Sequence, residues 1–255
     1  MQTEGVKEKY YHMKNWIINI LQKILGFETY IFIFSIFVIL KLRWDKNEKD
    51  FLKLFDLIKE DGLVLDIGAN IGVMTYHFAR KLKKSKVLAF EPIPYNVRTL
   101  NRIISIFKLS NVKVYNIALS DADGKVKMIM PVINSARKQG LSHVSSTTTA
   151  NNESGEQFEV FGKRLDSLED VLNAKERITA IKIDVEGHEL NVLRGAVNTI
   201  RKHKPIIYCE LWPGDQRNTT IELMQSLDYT SKVLVDNNLV DYADHPNQNF
   251  FFIPK

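Results

Sequence analysis

From residue 51 onward the sequence keeps one rhythm, a short apolar run, a turn, then an amphipathic stretch at helical spacing. Phe51, Leu52, Leu54, Phe55 and Ile58 recur on one helical face, which Asp61-Gly62 ends. Residues 63–67 then lead into 73–82, 87–90 into 95–107, and 112–119 open a second half. In that half 181–184 lead into 189–200 and 206–211 into 219–227, while 233–235 and 250–253 close the chain with no helical stretch between them. Strands alternating with helices predict a Rossmann-like α/β fold, a mostly parallel sheet with helices on both faces and a C-terminal antiparallel hairpin.

Composition narrows the class. The chain has 255 residues, 45% hydrophobic and 25% charged, which excludes a disordered chain, a collagen-like fibre and a polytopic membrane protein. A single cysteine, Cys209, excludes a disulfide framework and fits a reducing compartment, so a cytoplasmic protein is expected. The net charge of +5 carries no basic block and predicts no nucleic-acid partner.

Two segments stand outside the rhythm. Residues 1–50 form an apolar N-terminal extension ahead of a 51–255 domain. Its uninterrupted apolar core, 30–40, is about half the roughly 20 residues needed to span a bilayer, and no small-residue cleavage site follows. A helix packed on the domain is the preferred reading. A peripheral membrane contact through 16–42, with Lys and Arg near the headgroups, stays open, as does a homo-oligomer. Residues 131–157 are rich in Ser, Thr, Asn and Gly and are expected to form a mobile loop, a lid, a binding loop or a plain surface loop. They sit inside a hairpin, because 125–130 and 157–161 read as extended.

The chemistry starts at Asp66-Ile-Gly-Ala-Asn-Ile-Gly72, a strand-to-helix turn. Glycines there let backbone approach a ligand, and the helix N-terminus offers free amides. A dinucleotide fingerprint needs Gly at the third position from Gly68 and at the sixth, where Asn70 and Val73 stand. Asp66 suits a ligand with an ammonium group and no pyrophosphate. At the end of the second strand, Glu91 is placed to accept both hydroxyls of a ribose.

Four motifs now stand in order: the turn at 66–72, Phe90-Glu-Pro-Ile-Pro-Tyr-Asn96, Asn116-Ile-Ala-Leu-Ser-Asp121 and Ile183-Asp-Val-Glu-Gly-His-Glu189. Together they resemble the FkbM family of S-adenosylmethionine-dependent methyltransferases, over roughly residues 60 to 212. The resemblance implies a class I methyltransferase fold, S-adenosyl-L-methionine as donor, and O-methylation of a small-molecule or glycan hydroxyl. It implies that Asp66, Gly68, Asn70 and Gly72 frame the donor's methionine moiety. Glu91 would hold the ribose, with Pro92 and Asn96 beside it, and Ser120 and Asp121 the adenine. Asp184, Glu186 and His188, followed by Glu189, would stand where acceptor meets methyl group.

The residues carry part of this alone. Strand alternation puts Lys182 and Asp184 on one face of their strand, and a lysine there needs a partner, with Asp184, Asp66 and Glu210 in reach. Asp184, Glu186 and His188 are the candidate bases, His188 having the best intrinsic ionisation near pH 7. They could alternatively hold a divalent cation that lowers the hydroxyl's pKa, though no metal is expected. His203 and the other histidines read as solvated, and Glu210 and Trp212 as acceptor-site candidates. Two other classes are weighed: a Rossmann-type nucleotide-binding oxidoreductase, disfavoured by Asn70, and a catalytically silent scaffold, disfavoured because every donor-site residue is present.

Overall fold

The computed structural model of the chain describes residues 2–42, 49–145, 154–243 and 245–255, with side chains from residue 13 onward. Helices α1 (Gln2–Leu25), α2 (Phe27–Leu42) and α3 (Lys49–Leu57) precede the sheet. The first half alternates β1 (Leu63–Ile67), α4 (Val73–Lys81), β2 (Lys86–Phe90), α5 (Pro94–Phe107) and β3 (Val112–Tyr115). An insertion follows, made of β4 (Ala118–Leu119), β5 (Gly124–Ile133), β6 (Ala136–Arg137), β7 (His143–Val144) and β8 (Gly155–Lys163). The second half runs through α6 (Glu169–Leu172), β9 (Ile178–Ile183), α7 (Glu189–Arg194), α8 (Val197–His203), β10 (Ile206–Glu210) and α9 (Asp215–Ser226). It closes with β11 (Tyr229–Val235), β12 (Asn238–Asp241) and β13 (Asn249–Pro254).

The main sheet has the order β12-β11-β13-β10-β9-β1-β2-β3. Strands β3, β2, β1, β9 and β10 are parallel, and β13 runs antiparallel between β10 and β11. Alternation along β1 serves both faces. Leu63, Leu65 and Ile67 pack with Val192, Leu193 and Met224 of α7 and α9, whereas Val64 packs with Phe51, Phe55 and Phe78 of α3 and α4. Burial on both sides is why these strands read as continuous apolar runs. The chain moves from β1 outward to β3, then returns to lay β9 on the other side of β1. That reversal opens a crevice at the C-terminal ends of β1 and β9, the usual ligand site of such sheets.

Three expectations change. Residues 189–200 are not one helix, because the chain breaks at Gly195 and Ala196. A Cβ on Gly195 would stand 1.9 Å from the Ser120 carbonyl oxygen. The Asp166 carboxylate restarts the helix by accepting the Asn198 and Thr199 N–H groups, both at 2.8 Å, and the Thr199 hydroxyl at 2.7 Å. The last helix begins at Asp215, a turn earlier than its apolar pattern indicates. In the 131–157 segment, 146–153 lie outside the described residues, and the remainder holds β6, β7 and a 3-10 turn at Gln139–Leu141. The flanking stretches pair as antiparallel β5 and β8.

The N-terminal helices divide their faces. Ile31, Phe32, Ile39 and Leu42 of α2 are buried, where Phe32 and Ile39 meet Ile103, Tyr76 and Phe107 of α4 and α5. Arg98 holds Glu28 at 2.7 Å. No single helix among the described residues is long and apolar enough to cross a membrane. Met13–Leu25 and Phe27–Leu42 pass that test only together, and they bend by 118° at their break.

Candidate active site

The turn after β1 leads directly into the crevice. Gly68 has φ +76°, and a Cβ there would meet the Asp184 carbonyl oxygen at 1.8 Å. The close approach this glycine allows is therefore to the end of β9, not only to a ligand. Gly72, at φ +86°, gives room to Leu100 of α5. Asp66 differs from its expected role. It is fully buried, its Oδ2 accepting the Thr75 hydroxyl at 2.5 Å and its Oδ1 3.4 Å from Lys182 Nζ. It braces the turn from below and offers a ligand no exposed surface.

Lys182 finds the partners its strand position demands. Its register neighbour is Asp66, Asp184 Oδ2 lies 3.5 Å away, and Nζ donates to the Gly68 carbonyl at 2.8 Å. Burial opposes its charge, but Asp184 and Asp66 outweigh burial and hold the ammonium above its ordinary value. Glu210 turns to Asp184 instead. Burial first, then the Asp184 charge, pushes Glu210 up to about 7.

Glu186 shares this acidic corner. It stands after β9 with φ +54° and lines one cleft with Gly68, Asn70, Glu91 and Asp184. Burial, then the charges of Asp184, Glu210 and Glu189, push its carboxyl up to about 8. Glu189 is turned away to brace the loop, its Oε1 accepting the Val185 N–H at 3.2 Å and the Gly187 N–H at 3.0 Å.

Glu91 occupies the opposite wall. Its carboxylate accepts the Asn70 N–H at 2.8 Å, the Ile93 N–H at 2.9 Å and the Asn96 amide at 3.1 Å. A carboxylate has about four acceptor positions, so the structure leaves room for one further donor where two ribose hydroxyls are expected. Burial raises this carboxyl to about 7 against those bonds. The side-chain oxygens of Asn70 and Asn96 are buried without a hydrogen-bond partner. Pro92 lines the cleft beside Glu91, and its carbonyl accepts the Asn116 amide at 2.8 Å.

The structure does not bring His188 to Asp184 and Glu186. His188 lines an adjoining, mostly apolar cleft with Ile67, Phe90, Leu119 and Val144. There its Nε2 lies 2.9 Å from the Ser120 hydroxyl, which reaches Asp121 at 3.1 Å. Burial lowers the His188 pKa, with Asp121 opposing. Ser120, Asp121 and His188 thus form one polar chain at the apolar end. No three metal-ligating side chains converge to hold an ion among the described residues. Trp212, half exposed, lines a third groove with Gly187 and Glu189. His203 is not solvated: it is buried, and its Nδ1 accepts the Ile178 N–H at 3.2 Å.

Part of the 131–157 segment, for which a lid was one of the readings, lies at the cleft, but its anchor on α1 was not expected. Gln139, Gly140 and Ser142 close over the cleft beside Asn70 and Glu91. Helix α1 holds this strap through Gln22, whose amide donates to the Arg137 carbonyl and accepts the Arg137 N–H, both at 3.0 Å. Asn15 accepts from Lys138 at 2.5 Å. The polar Asn15 and Gln22, spaced two turns apart in an apolar stretch, were the available signal.

A parallel sheet with its crevice between β1 and β9, completed by an antiparallel β13 between β10 and β11, is the fold of a class I methyltransferase. The family model described as the methyltransferase FkbM domain matches residues 66–233, and the chain belongs to the FkbM methyltransferase family. It is 31% identical over 147 residues to Methyltransferase 1 of Beauveria bassiana, covering 53% of this chain and 59% of that protein. It is 24% identical over 234 residues to the hexuronic acid methyltransferase AglP of Haloferax volcanii, covering 90% and 89%. The solved FkbM methyltransferase of Methylobacillus flagellatus aligns with a TM-score of 0.49 at 18% identity, over 75% of this chain and 43% of that one. The chain thus spans 59% of the Beauveria relative's length.

Proposed function

We propose that the protein methylates a hydroxyl oxygen of a sugar or another small hydroxylated acceptor, using S-adenosylmethionine. The observation that carries this is Glu186, raised to about 8, in the same cleft as the Gly68–Asn70 turn and Glu91. The chain's residues suit such a donor. Asp184, Glu186 and Glu210 crowd one corner whose mutual repulsion a cation would relieve, Asn70 has a buried oxygen without a partner, and the adjoining apolar cleft reaches His188, which bonds Ser120. The hexuronic acid methyltransferase among the relatives supports a sugar acceptor.

When bound, S-adenosylmethionine supplies a methyl group already activated by the positive charge on sulfur. The protein's work is alignment and proton removal. Glu91 would take a ribose hydroxyl on its remaining acceptor position, and Ser120 and Asp121 would hold the base. A nearby cation lowers a carboxyl's pKa, so donor binding draws Glu186 toward its ionised form. The Glu186 carboxylate would then be the group that accepts the acceptor's hydroxyl proton. His188, bonded to Ser120, serves the nucleoside end in this reading.

Isothermal titration with S-adenosylhomocysteine, followed by transfer assays on hydroxylated sugars with and without EDTA, tests the reading. Glu186→Gln is expected to keep S-adenosylhomocysteine affinity and lose about a hundredfold or more in kcat, a typical loss for a positioned base, with activity surviving EDTA. Full turnover in Glu186→Gln removes it as base, and Mg²⁺-dependent turnover replaces the base with a metal.

A further inference from the structure

Helix α1 is inside out. Its polar Asn15 and Gln22 are buried against the protein, while Met13, Trp16, Ile17, Leu21, Ile24 and Leu25 face outward. These outward positions recur at three- and four-residue steps, so they form one apolar stripe rather than scattered exceptions. Trp16 is 62% exposed and Ile24 74%. Helix α2 repeats the pattern on the face that α4 and α5 leave uncovered, with Ile33, Phe34, Phe37 (60% exposed) and Leu40. Monomeric soluble proteins rarely show contiguous apolar surface of this kind.

The charges say what covers it. Between residues 13 and 42 the exposed cations are Lys14, Lys23 and Lys41. The one acid in that stretch, Glu28, is neutralised by Arg98. Arg102 stands over the Phe32 ring at 3.9 Å. A second copy docked through the same stripes would bring two cationic rims together. An anionic lipid surface complements them, and lysines around an aromatic and aliphatic face are the pattern of a helix lying in the headgroup region. The bend of 118° at the helix break lets the pair lie against a surface where a straight span of the same residues would cross it.

We propose that the outward faces of α1 and α2 dock the protein on an anionic membrane surface. The inference does not depend on the methyl-transfer reading, because its readout is binding alone.

Flotation of the full chain with phosphatidylglycerol–phosphatidylcholine vesicles and with pure phosphatidylcholine vesicles, paired with sedimentation velocity without lipid, tests it. The expected result is binding to the anionic vesicles, weakened by high salt, with tryptophan emission moving to the blue by a shift that Trp16→Ser diminishes. Trp16→Ser with Phe37→Ser, both at exposed positions, should weaken binding about tenfold or more through lost apolar burial. Lys14→Glu with Lys23→Glu should do so through charge and leave the apolar face intact. Two results overturn the proposal: vesicle binding that neither pair of substitutions weakens, or no binding to the anionic vesicles, in which case a dimer that Trp16→Ser and Phe37→Ser dissociate would assign the stripe to a second copy.

Discussion

Removing the Lys182 ammonium leaves the Asp66 carboxylate fully buried with only the Thr75 hydroxyl donating to it among the described residues. Breaking a buried pair from one side typically costs about 3–5 kcal/mol, and a chain of this size loses roughly 2–4 °C per kcal/mol. Lys182→Met is therefore expected to lower the melting temperature by about 10 °C, and Asp66→Val in the same chain to recover part of the loss, as read by thermal unfolding. A shift within 1–2 °C, roughly what a surface change produces, would mean the pair is not what holds the turn to β9. The need for this pair is legible in the sequence, because strand alternation alone puts Lys182 and Asp184 on one face. The role of Asp66 is legible only in part, as one of three carboxylates in reach of Lys182 and not as a residue closed off from a ligand. Which side of a β1 residue faces a ligand depends on the register of β1 against β9, and that register puts Asp66 beside Lys182. Glu91 shows the same limit. Its place at the strand tip follows from the apolar run before it, whereas its three N–H partners depend on how the turn at Asn70 and the start of α5 fold back.

At the scale of elements, the alternation of apolar runs and amphipathic stretches was sufficient for the parallel sheet, since each strand announces its own burial. The break between α7 and α8 was not, because the side chain that restarts the helix, Asp166, comes from the segment before α6. What fixes the strap over the cleft was hidden for a like reason. Its polar composition reads as loop, and what orders it is α1, more than a hundred residues earlier in the chain. Gln22→Ala removes both bonds to the Arg137 backbone. Each such bond contributes about 1 kcal/mol net, so the strap should open more often while the sheet stays intact. Faster tryptic cleavage at Arg137 and Lys138, with an unchanged melting temperature for the rest of the chain, is the expected outcome. Cleavage at the parent rate would show that Gln22 does not hold the strap and that the Asn15–Lys138 bond and the β5–β6 pairing suffice.

For the molecule as a whole, the acidic cleft ties stability to pH and to the donor's charge. Glu91 and Glu210 are raised to about 7 and Glu186 to about 8, each from an ordinary 4.5 and each chiefly by burial. A carboxyl whose folded pKa lies above its unfolded value stabilises the fold while protonated, and that contribution is lost as pH rises through the folded value. The free protein should therefore lose thermal stability between about pH 6.5 and pH 8.5. The buried His188 and His203, with lowered pKa values, act in the opposite sense at lower pH. If the proposed reading holds, a sulfonium-bearing donor would reverse the balance, because ionised Glu186 and Glu210 would then have a cation beside them in place of one another. S-adenosylmethionine should raise the melting temperature more at pH 8.5 than at pH 6.5 and bind more tightly as pH rises, with proton release on binding detectable by calorimetry in buffers of different ionisation enthalpy. S-adenosylhomocysteine, whose sulfur is neutral, should show a weaker dependence, and Glu186→Gln should flatten the S-adenosylmethionine curve. Equal stabilisation by both ligands at both pH values would mean that the acidic corner does not meet the donor's charged sulfur, and the assignment of Glu186 to the reacting centre would fall with it.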